Sequence, residues 1–515
     1  GVNDATNFAP LRNLDAKLPV SYGLPSLKSK IAYAADGQVC LSADEAIVIA
    51  DYTTGKKVRE IKTPHEDIIA MDVSGNRLVA GDKFKGTLKQ YDLNTGKLLR
   101  VYGEDAIAPI AWETASNATG IVIDGIFDSP CGYFSGQPDG RIVAATFQDK
   151  ENELMSIVGI SADASITATY NQQEVQVYKA PVFDKPVLSF DLDDKQVASL
   201  GISPDNKKLL VAYKNYIDVF DVTSGSLIKE IPNDLIFFGK EKIKKNEYLD
   251  YTASSFSFSG DSRYVAVMAN KNATVFDLAL NKSVATLNED RIEAIRLAAD
   301  GSKLYYIKNR SYGEAVKWGE YDVLHPAPPV ETPVNLGLGE VRISDYEVQK
   351  TNVSISPDLQ FVAFISNDEV VVYNRTEAGQ TKILKGHQSY TTQVRWLANG
   401  ILVSSGNDNT IRFWDAAKGT EILKLVMFTN GSWVLVTPNG QFDASEDAMK
   451  KLYYVQGIQT IPLDNLMEKF YTPKLLARLL SGAALPEPDI DVNTLATAPK
   501  VKLSFDAARN LEMAY

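Results

Sequence analysis

The chain has 515 residues, with 53 lysines and arginines against 65 acidic residues, so its formal net charge is −12. Hydrophobic residues make up 45% and charged residues 23%, which is typical of an ordinary globular protein and argues against extensive disorder. The acidic balance disfavours nucleic acid as the main partner, and the absence of an apolar run of 18 residues predicts no membrane span.

From residue 31 onward, after an N-terminal extension over 1–30, the sequence is dominated by a repeat of roughly 40 residues. Each unit combines short alternating strands, a Pro-Asp or Gly-Asp turn, and a strand that ends in an aromatic residue followed by aspartate. The clearest copies are 201–231 and 255–287, and the segment 104–150 is irregular. About nine units fit between residues 31 and 428.

This repeat predicts an all-β fold, because strict alternation between turns indicates half-buried strands of an antiparallel sheet. A four-stranded unit cannot cover both faces of its own sheet, so such units stack radially. We therefore expect a β-propeller of seven to nine four-stranded blades over 31–428. Nine units leave three arrangements open: an inserted unit, two partial rings or an unusually large ring. We favour one main ring, closed when the N-terminal segment or a hairpin at 431–445 pairs with another blade.

The best copy, residues 386–425, resembles the WD-repeat family. It begins with Gly-His and ends its third strand with Trp-Asp, and four residues match the buried polar network of that family: His387, Ser404, Asp408 and Trp414. The resemblance implies hydrogen bonds that join the loop before the blade, a turn and the third strand. A Ser-His-Asp hydrolase triad is the alternative, disfavoured because no GxSxG motif accompanies it. We therefore assign no catalytic residue.

The C-terminal part departs from the repeat. Residues 429–484 predict a terminal hairpin and a helical cap in which Pro473 separates two short helices, and 485–515 read as a linker and the start of a possible further domain. The cap either packs on the propeller or binds a partner. This segment resembles the tail of bacterial propeller proteins that also carry a caspase-like peptidase domain, through Trp433, Pro438, Gly440, Phe442, Asp443, Phe470, Tyr471, Pro473, Leu476, Leu480 and Gly482.

Metal and cofactor chemistry find little support in the sequence. The three histidines, His65, His325 and His387, are widely spaced, and Cys40 and Cys131 allow at most one disulfide. We expect no metal and no cofactor. The first residue is glycine, which favours a processed protein exported to the periplasm or cell surface, with the cytoplasm as the alternative.

Together these features predict a non-catalytic scaffold, not an enzyme, whose propeller loops bind protein or peptide partners. Two alternatives remain open. The chain is the sensory or substrate-presenting half of a longer caspase-like peptidase protein, as the tail resemblance implies, or it is a propeller that binds a small ligand in a polar central channel.

Overall fold

The computed structural model describes most of residues 31–481, with the longest gaps at 148–156, 232–252 and 335–352, and four short strands in the terminal segments. Near the N-terminus, β1 (Val2–Asn3) pairs with β2 (Pro10–Arg12). The described residues then form nine antiparallel sheets of at least four strands, each built from strands that are consecutive in the chain.

The first two sheets lie side by side and are called the N-terminal sheets. Their strands are β3 (Ile31–Tyr33), β4 (Gln38–Ala43), β5 (Ala46–Asp51) and β6 (Lys57–Lys62) in the first, and β7 (Ile68–Ser74), β8 (Arg77–Asp82), β9 (Leu88–Asp92) and β10 (Leu98–Tyr102) in the second. One buried apolar cluster, which includes Cys40, Ile47 and Leu78, joins the two sheets to each other.

The other seven sheets are the blades of a ring, numbered in chain order. Blade 1 contains β11 (Pro109–Thr114), β12 (Thr119–Gly125), β13 (Cys131–Gly136) and β14 (Ile142–Phe147); blade 2, β15 (Ile157–Ile160), β16 (Ile166–Tyr170), β17 (Glu174–Lys179) and β18 (Leu188–Asp191); blade 3, β19 (Val197–Ile202), β20 (Lys208–Tyr213), β21 (Ile217–Asp221) and β22 (Leu227–Ile231); blade 4, β23 (Ala253–Phe258), β24 (Tyr264–Ala269), β25 (Asn272–Asp277) and β26 (Lys282–Leu287).

The remaining blades follow the same plan, and only the last has extra strands. Blade 5 contains β27 (Ile292–Leu297), β28 (Lys303–Lys308), β29 (Lys317–Asp322) and β30 (Val330–Pro333); blade 6, β31 (Val353–Ile355), β32 (Phe361–Ser366), β33 (Glu369–Asn374) and β34 (Gln380–Leu384); blade 7, β35 (Thr391–Trp396), β36 (Leu402–Gly406), β37 (Thr410–Asp415), β38 (Thr420–Met427), β39 (Trp433–Val436) and β40 (Phe442–Ala444).

Polar side chains set the tight turns of the blades, as blade 3 illustrates. In the turn between its first two strands, the Ser203 hydroxyl donates to Asp205 at 2.6 Å. In the turn between its last two strands, Asp221 accepts the backbone N–H of Ser224 at 2.8 Å. Gly225 follows at φ +67°, and a Cβ there would lie 2.6 Å from the Leu188 side chain of blade 2, so the position favours glycine.

Seven of the apolar clusters of the described residues form the core of the ring, and each lies between two blades. Six of them join consecutive blades from 1 to 7. The seventh joins blade 7 back to blade 1 through residues such as Phe134 and Leu435. The first strands of neighbouring blades also lie next to each other all the way round, and β11 lies against β35. The described contacts therefore close a ring of seven blades.

This architecture confirms the predicted all-β propeller of four-stranded blades with a short helical C-terminal part. The mode of closure differs from the expectation. The hairpin β39–β40 pairs with β38, the outer strand of its own blade, and meets blade 1 through side chains. Strand pairing across this junction consists, in the described residues, of one isolated bridge between Ala106 and Phe428.

After blade 7 the chain forms α1 (Glu446–Met449), the pair β41 (Tyr453–Gln456) and β42 (Gln459–Pro462), α2 (Met467–Phe470) and α3 (Leu475–Leu480). As expected from Pro473, α2 and α3 are separate helices. A last pair, β43 (Lys502–Phe505) and β44 (Leu511–Ala514), lies near the C-terminus.

Candidate functional site: a buried polar network in blade 7

Blade 7 brings together the four residues that the sequence singled out. His387 lies in the loop before β35, Ser404 in the middle of β36, Asp408 in the turn after β36, and Trp414 near the end of β37. The register places Ser404 opposite Arg412 and leaves Trp414 opposite Leu402. Three separate backbone segments therefore converge on one point between strands.

Their polar atoms form a continuous chain of hydrogen bonds. The Trp414 indole N–H donates to the Ser404 hydroxyl oxygen at 2.8 Å, and that hydroxyl lies 2.8 Å from His387 Nε2. His387 Nδ1 lies 3.0 Å from Asp408 Oδ1. Because an indole only donates and a carboxylate only accepts, Trp414 donates to Ser404 and His387 Nδ1 donates to Asp408. In a neutral imidazole Nε2 then accepts, so Ser404 donates to His387. This assigns the His387 proton to Nδ1.

Asp408 is the acceptor at the end of this chain and has further donors. The Gln388 backbone N–H reaches Oδ2 at 3.0 Å, and the Thr410 hydroxyl reaches Oδ1 at 2.7 Å. Burial alone would raise the pKa of Asp408, but the hydrogen bonds that it accepts from His387, the Gln388 N–H and Thr410 hold that pKa well below its ordinary value. The carboxylate is therefore ionised and anchors the loop before the blade.

Close packing surrounds the network. A Cβ at Gly406 would lie 2.5 Å from His387 Nδ1 and 2.9 Å from Asp408 Oδ1, so a larger residue there would break the bond between them. Arg412 adds a buried ion pair with Glu421 and lies 3.4 Å from Asp408. The exposed fraction is 0% for Ser404 and 1% for Trp414. The Ser404 hydroxyl thus faces protein on every side.

A second polar network lies in blade 5, and the sequence analysis missed it. In the position that corresponds by register to Ser404, blade 5 has Tyr306, opposite Gly319. The Tyr306 hydroxyl donates to Glu331 at 3.1 Å, and Lys317 donates to the same carboxylate at 2.7 Å. The buried ammonium of Lys308 is paired with Glu289 and lies 3.4 Å from Glu331.

Charge pairing explains why these groups tolerate burial. Burial would raise the pKa of Glu331, but the Lys317 and Tyr306 hydrogen bonds hold it below its ordinary value. Burial would lower the pKa of Lys308, whereas Glu289 raises it. A glycine within the third strand, Gly319, is the one feature of the sequence that points to this network. In the structure the Tyr306 ring crosses the strand there, and a Cβ on residue 319 would lie 1.9 Å from it.

The turns at one rim of the ring carry exposed apolar side chains. In an antiparallel four-stranded blade, the turn between the third and fourth strands lies at the same end as the turn between the first and second. Four consecutive blades, 2 to 5, present large apolar residues in this third turn or next to it, among them Val182, Leu227, Leu280 and Leu324. We call these four the rim residues; their exposed fractions are 50–57%.

The remaining predicted features are placed as follows. His325 is exposed in the turn of blade 5, where its backbone N–H donates to Asp322 at 2.8 Å. His65 lies outside the described residues. Within the described part of the chain, no group of three or more His, Cys, Asp or Glu residues is placed to hold a metal ion, and no helix is long and apolar enough to cross a membrane.

Comparison with known proteins locates one repeat. The family described as "WD domain, G-beta repeat" matches residues 379–415, from β34 of blade 6 to the end of β37. This confirms the WD-repeat resemblance for the segment that contains the blade 7 network. A solved structure, the β-propeller domain of Myceliophteria thermophila Cps50 (Swd1), is similar with 12% identity and a TM-score of 0.39, covering 66% of this chain and 93% of that one. No curated protein matched the sequence.

Proposed function

We propose that this chain is a non-catalytic scaffold that binds a protein or peptide partner through the turns and loops of its propeller. The observation that carries the proposal is the recurrence of the rim residues. Single exposed apolar side chains are common on any protein. Here four consecutive blades each have at least one in or beside the same turn, on a framework whose seven interfaces are filled by buried side chains. A rigid ring that presents such residues in its turns suits partner binding.

The contacts of Ser404 support a structural role for the blade 7 network. A serine nucleophile must reach a substrate carbonyl while a histidine takes its proton. The Ser404 hydroxyl is fully buried and already engages both Trp414 and His387. We therefore propose that His387, Ser404, Asp408 and Trp414 hold the blade together.

The test is affinity capture: the purified chain and variants on the two rims of the ring are immobilised, and extracts of the source organism are passed over them. Wild-type protein is immobilised beside Leu280→Ser/Leu324→Ser, and beside Tyr390→Ser, which removes an exposed aromatic ring from the loop before blade 7 on the opposite rim. Mass spectrometry then identifies the retained proteins. We expect a retained protein that the double variant loses and the Tyr390 variant keeps. Retention of a small molecule, with no protein partner, would favour the ligand-binding alternative.

As a second candidate, we propose that the chain is the sensory or substrate-presenting half of a longer protein with a caspase-like peptidase. What favours it is that residues carrying the tail resemblance pack as one unit on blade 7: Phe442 and Phe470 share a buried cluster, and Tyr471 bridges to Phe442. The natural reading frame beyond Tyr515 tests this. A peptidase domain there would support the proposal, and a stop codon followed by an unrelated gene would refute it.

A further inference from the structure

The junction between blades 1 and 7 differs from every other described interface of the ring. The other six interfaces join blades that are consecutive in the chain. At this junction the Thr146 hydroxyl donates to the Thr429 carbonyl at 3.1 Å across 283 positions. The Phe134 and Trp433 rings meet edge to face, with centroids 5.9 Å apart. Closing so long a segment costs more chain entropy than joining sequence neighbours, so this junction has the largest cost to offset.

The C-terminal tail lies on that junction. The Leu475 and Leu476 side chains of α3 are buried, with 0% and 1% exposure. Both belong to the cluster that contains Ile121 and Phe134 of blade 1 and Leu435 of blade 7. Leu479, one turn further along α3, packs at the edge of the same cluster. One short helix therefore shares a single buried cluster with both blades at the point where the ring closes.

Three contacts fix the tail to blade 7 before it reaches the junction. Tyr471 forms a parallel bridge with Phe442, and the Thr472 N–H donates to the Phe442 carbonyl at 2.8 Å. The Leu475 N–H donates to the buried Asp443 carboxylate at 3.2 Å. Because a helix of six residues is unstable alone, α3 owes its structure to this docking.

We propose that residues 466–481 act as a strap that keeps the ring closed at the junction of blades 1 and 7. The docked strap adds apolar contacts to the one interface that long-range chain closure weakens. Release of the strap loosens that interface and leaves the other six unchanged. The ring therefore has a single opening point, controlled by whether the tail is docked.

Hydrogen exchange on the full chain, followed by mass spectrometry, tests the strap. In Leu475→Ala/Leu476→Ala, we expect amides of β11–β14 and β35–β38 to exchange roughly 30-fold faster or more, because truncating buried leucines weakens such contacts strongly. Amides of blades 3 and 4 should be unchanged. Met467→Ala, at a tail position that is 40% exposed, is the matched control and should match the wild type throughout.

Two further variants keep the result interpretable. If the double variant does not fold, Asp443→Asn weakens the polar anchor of the tail without removing an apolar side chain and should give the same pattern with a smaller increase. Val267→Ala cuts a buried side chain at the interface of blades 3 and 4 and should speed exchange there, not at the junction. Equal acceleration in all blades, or no acceleration at the junction in either tail variant, would overturn the proposal.

Discussion

Replacing Ser404 with alanine is the sharpest test of the blade 7 network. The substitution removes one hydroxyl and leaves the backbone and the apolar packing in place. That hydroxyl accepts from the Trp414 indole at 2.8 Å and donates to His387 at 2.8 Å. With alanine at this position, Trp414 Nε1 and His387 Nε2 both lose their hydrogen-bond partner in a region closed to water.

The expected cost follows from these two groups. A buried donor or acceptor that loses its partner costs about 1–3 kcal/mol, so two of them predict a loss of about 2–6 kcal/mol in the free energy of unfolding. Wild type and variant are compared by guanidinium unfolding, monitored by tryptophan fluorescence.

Ser302→Ala is the matched control. The Ser302 hydroxyl donates a hydrogen bond of 2.7 Å to Asp300, but it does so in an exposed turn where water can replace it. The expected loss in the free energy of unfolding is therefore about 0.5–1 kcal/mol. A Ser404→Ala loss no larger than that of Ser302→Ala would refute the claim that the network stabilises the blade.

Three further predictions concern the buried charges and close contacts. Asp408 has a folded-state pKa below its ordinary value of 3.8, so the ionised carboxylate stabilises the folded protein fully above that pH, and this stabilisation is lost as the pH falls through the folded-state pKa. The difference in unfolding free energy between wild type and Asp408→Asn should therefore shrink in acid. A difference that stays constant would contradict this. Glu331→Ala removes one of two carboxylates beside the buried Lys308 and should lower the unfolding free energy by about 3 kcal/mol in the same guanidinium assay, whereas a loss below about 1 kcal/mol would show that the pairing adds little. Gly319→Ala forces a methyl group into a tyrosine ring and should cost about 1–3 kcal/mol, while Gly260→Ala, where the new Cβ keeps 3.4 Å from its nearest neighbour, should cost less; equal melting temperatures for the two variants would argue against the close contact.

The sequence predicted structure best at positions where a residue type has one specific structural role. A Gly-His pair, a serine on the second strand and a Trp-Asp ending predicted which residues of blade 7 would meet, and the structure brings them within hydrogen-bond distance. The Pro-Asp and Gly-Asp turns predicted strand boundaries in the same way, and in one of them the Ser203 hydroxyl donates to Asp205.

Long-range features were beyond the sequence for a physical reason. The nine units look alike from their turns, and the choice of neighbours depends on which apolar faces fit. Phe134 of blade 1 meets Trp433 after nearly 300 intervening residues, and no local pattern encodes that contact. The blade 5 network was missed because it contains no serine and histidine of the expected motif. Instead, Tyr306 donates a hydrogen bond to Glu331, and lysines pair with that carboxylate.

Site-specific crosslinking tests most directly whether the seven blades form one closed ring. In a chain whose native Cys40 and Cys131 are replaced by alanine, cysteines replace Thr146 of blade 1 and Thr429 of blade 7, and a short bis-maleimide is added to the folded protein at low concentration. We predict an intramolecular crosslink between the two peptides, lost in denaturant, whereas Thr146→Cys combined with Thr286→Cys in blade 4 should give none. A first pair that crosslinks no better than the second, although both cysteines react with a monofunctional maleimide, would contradict the closed ring.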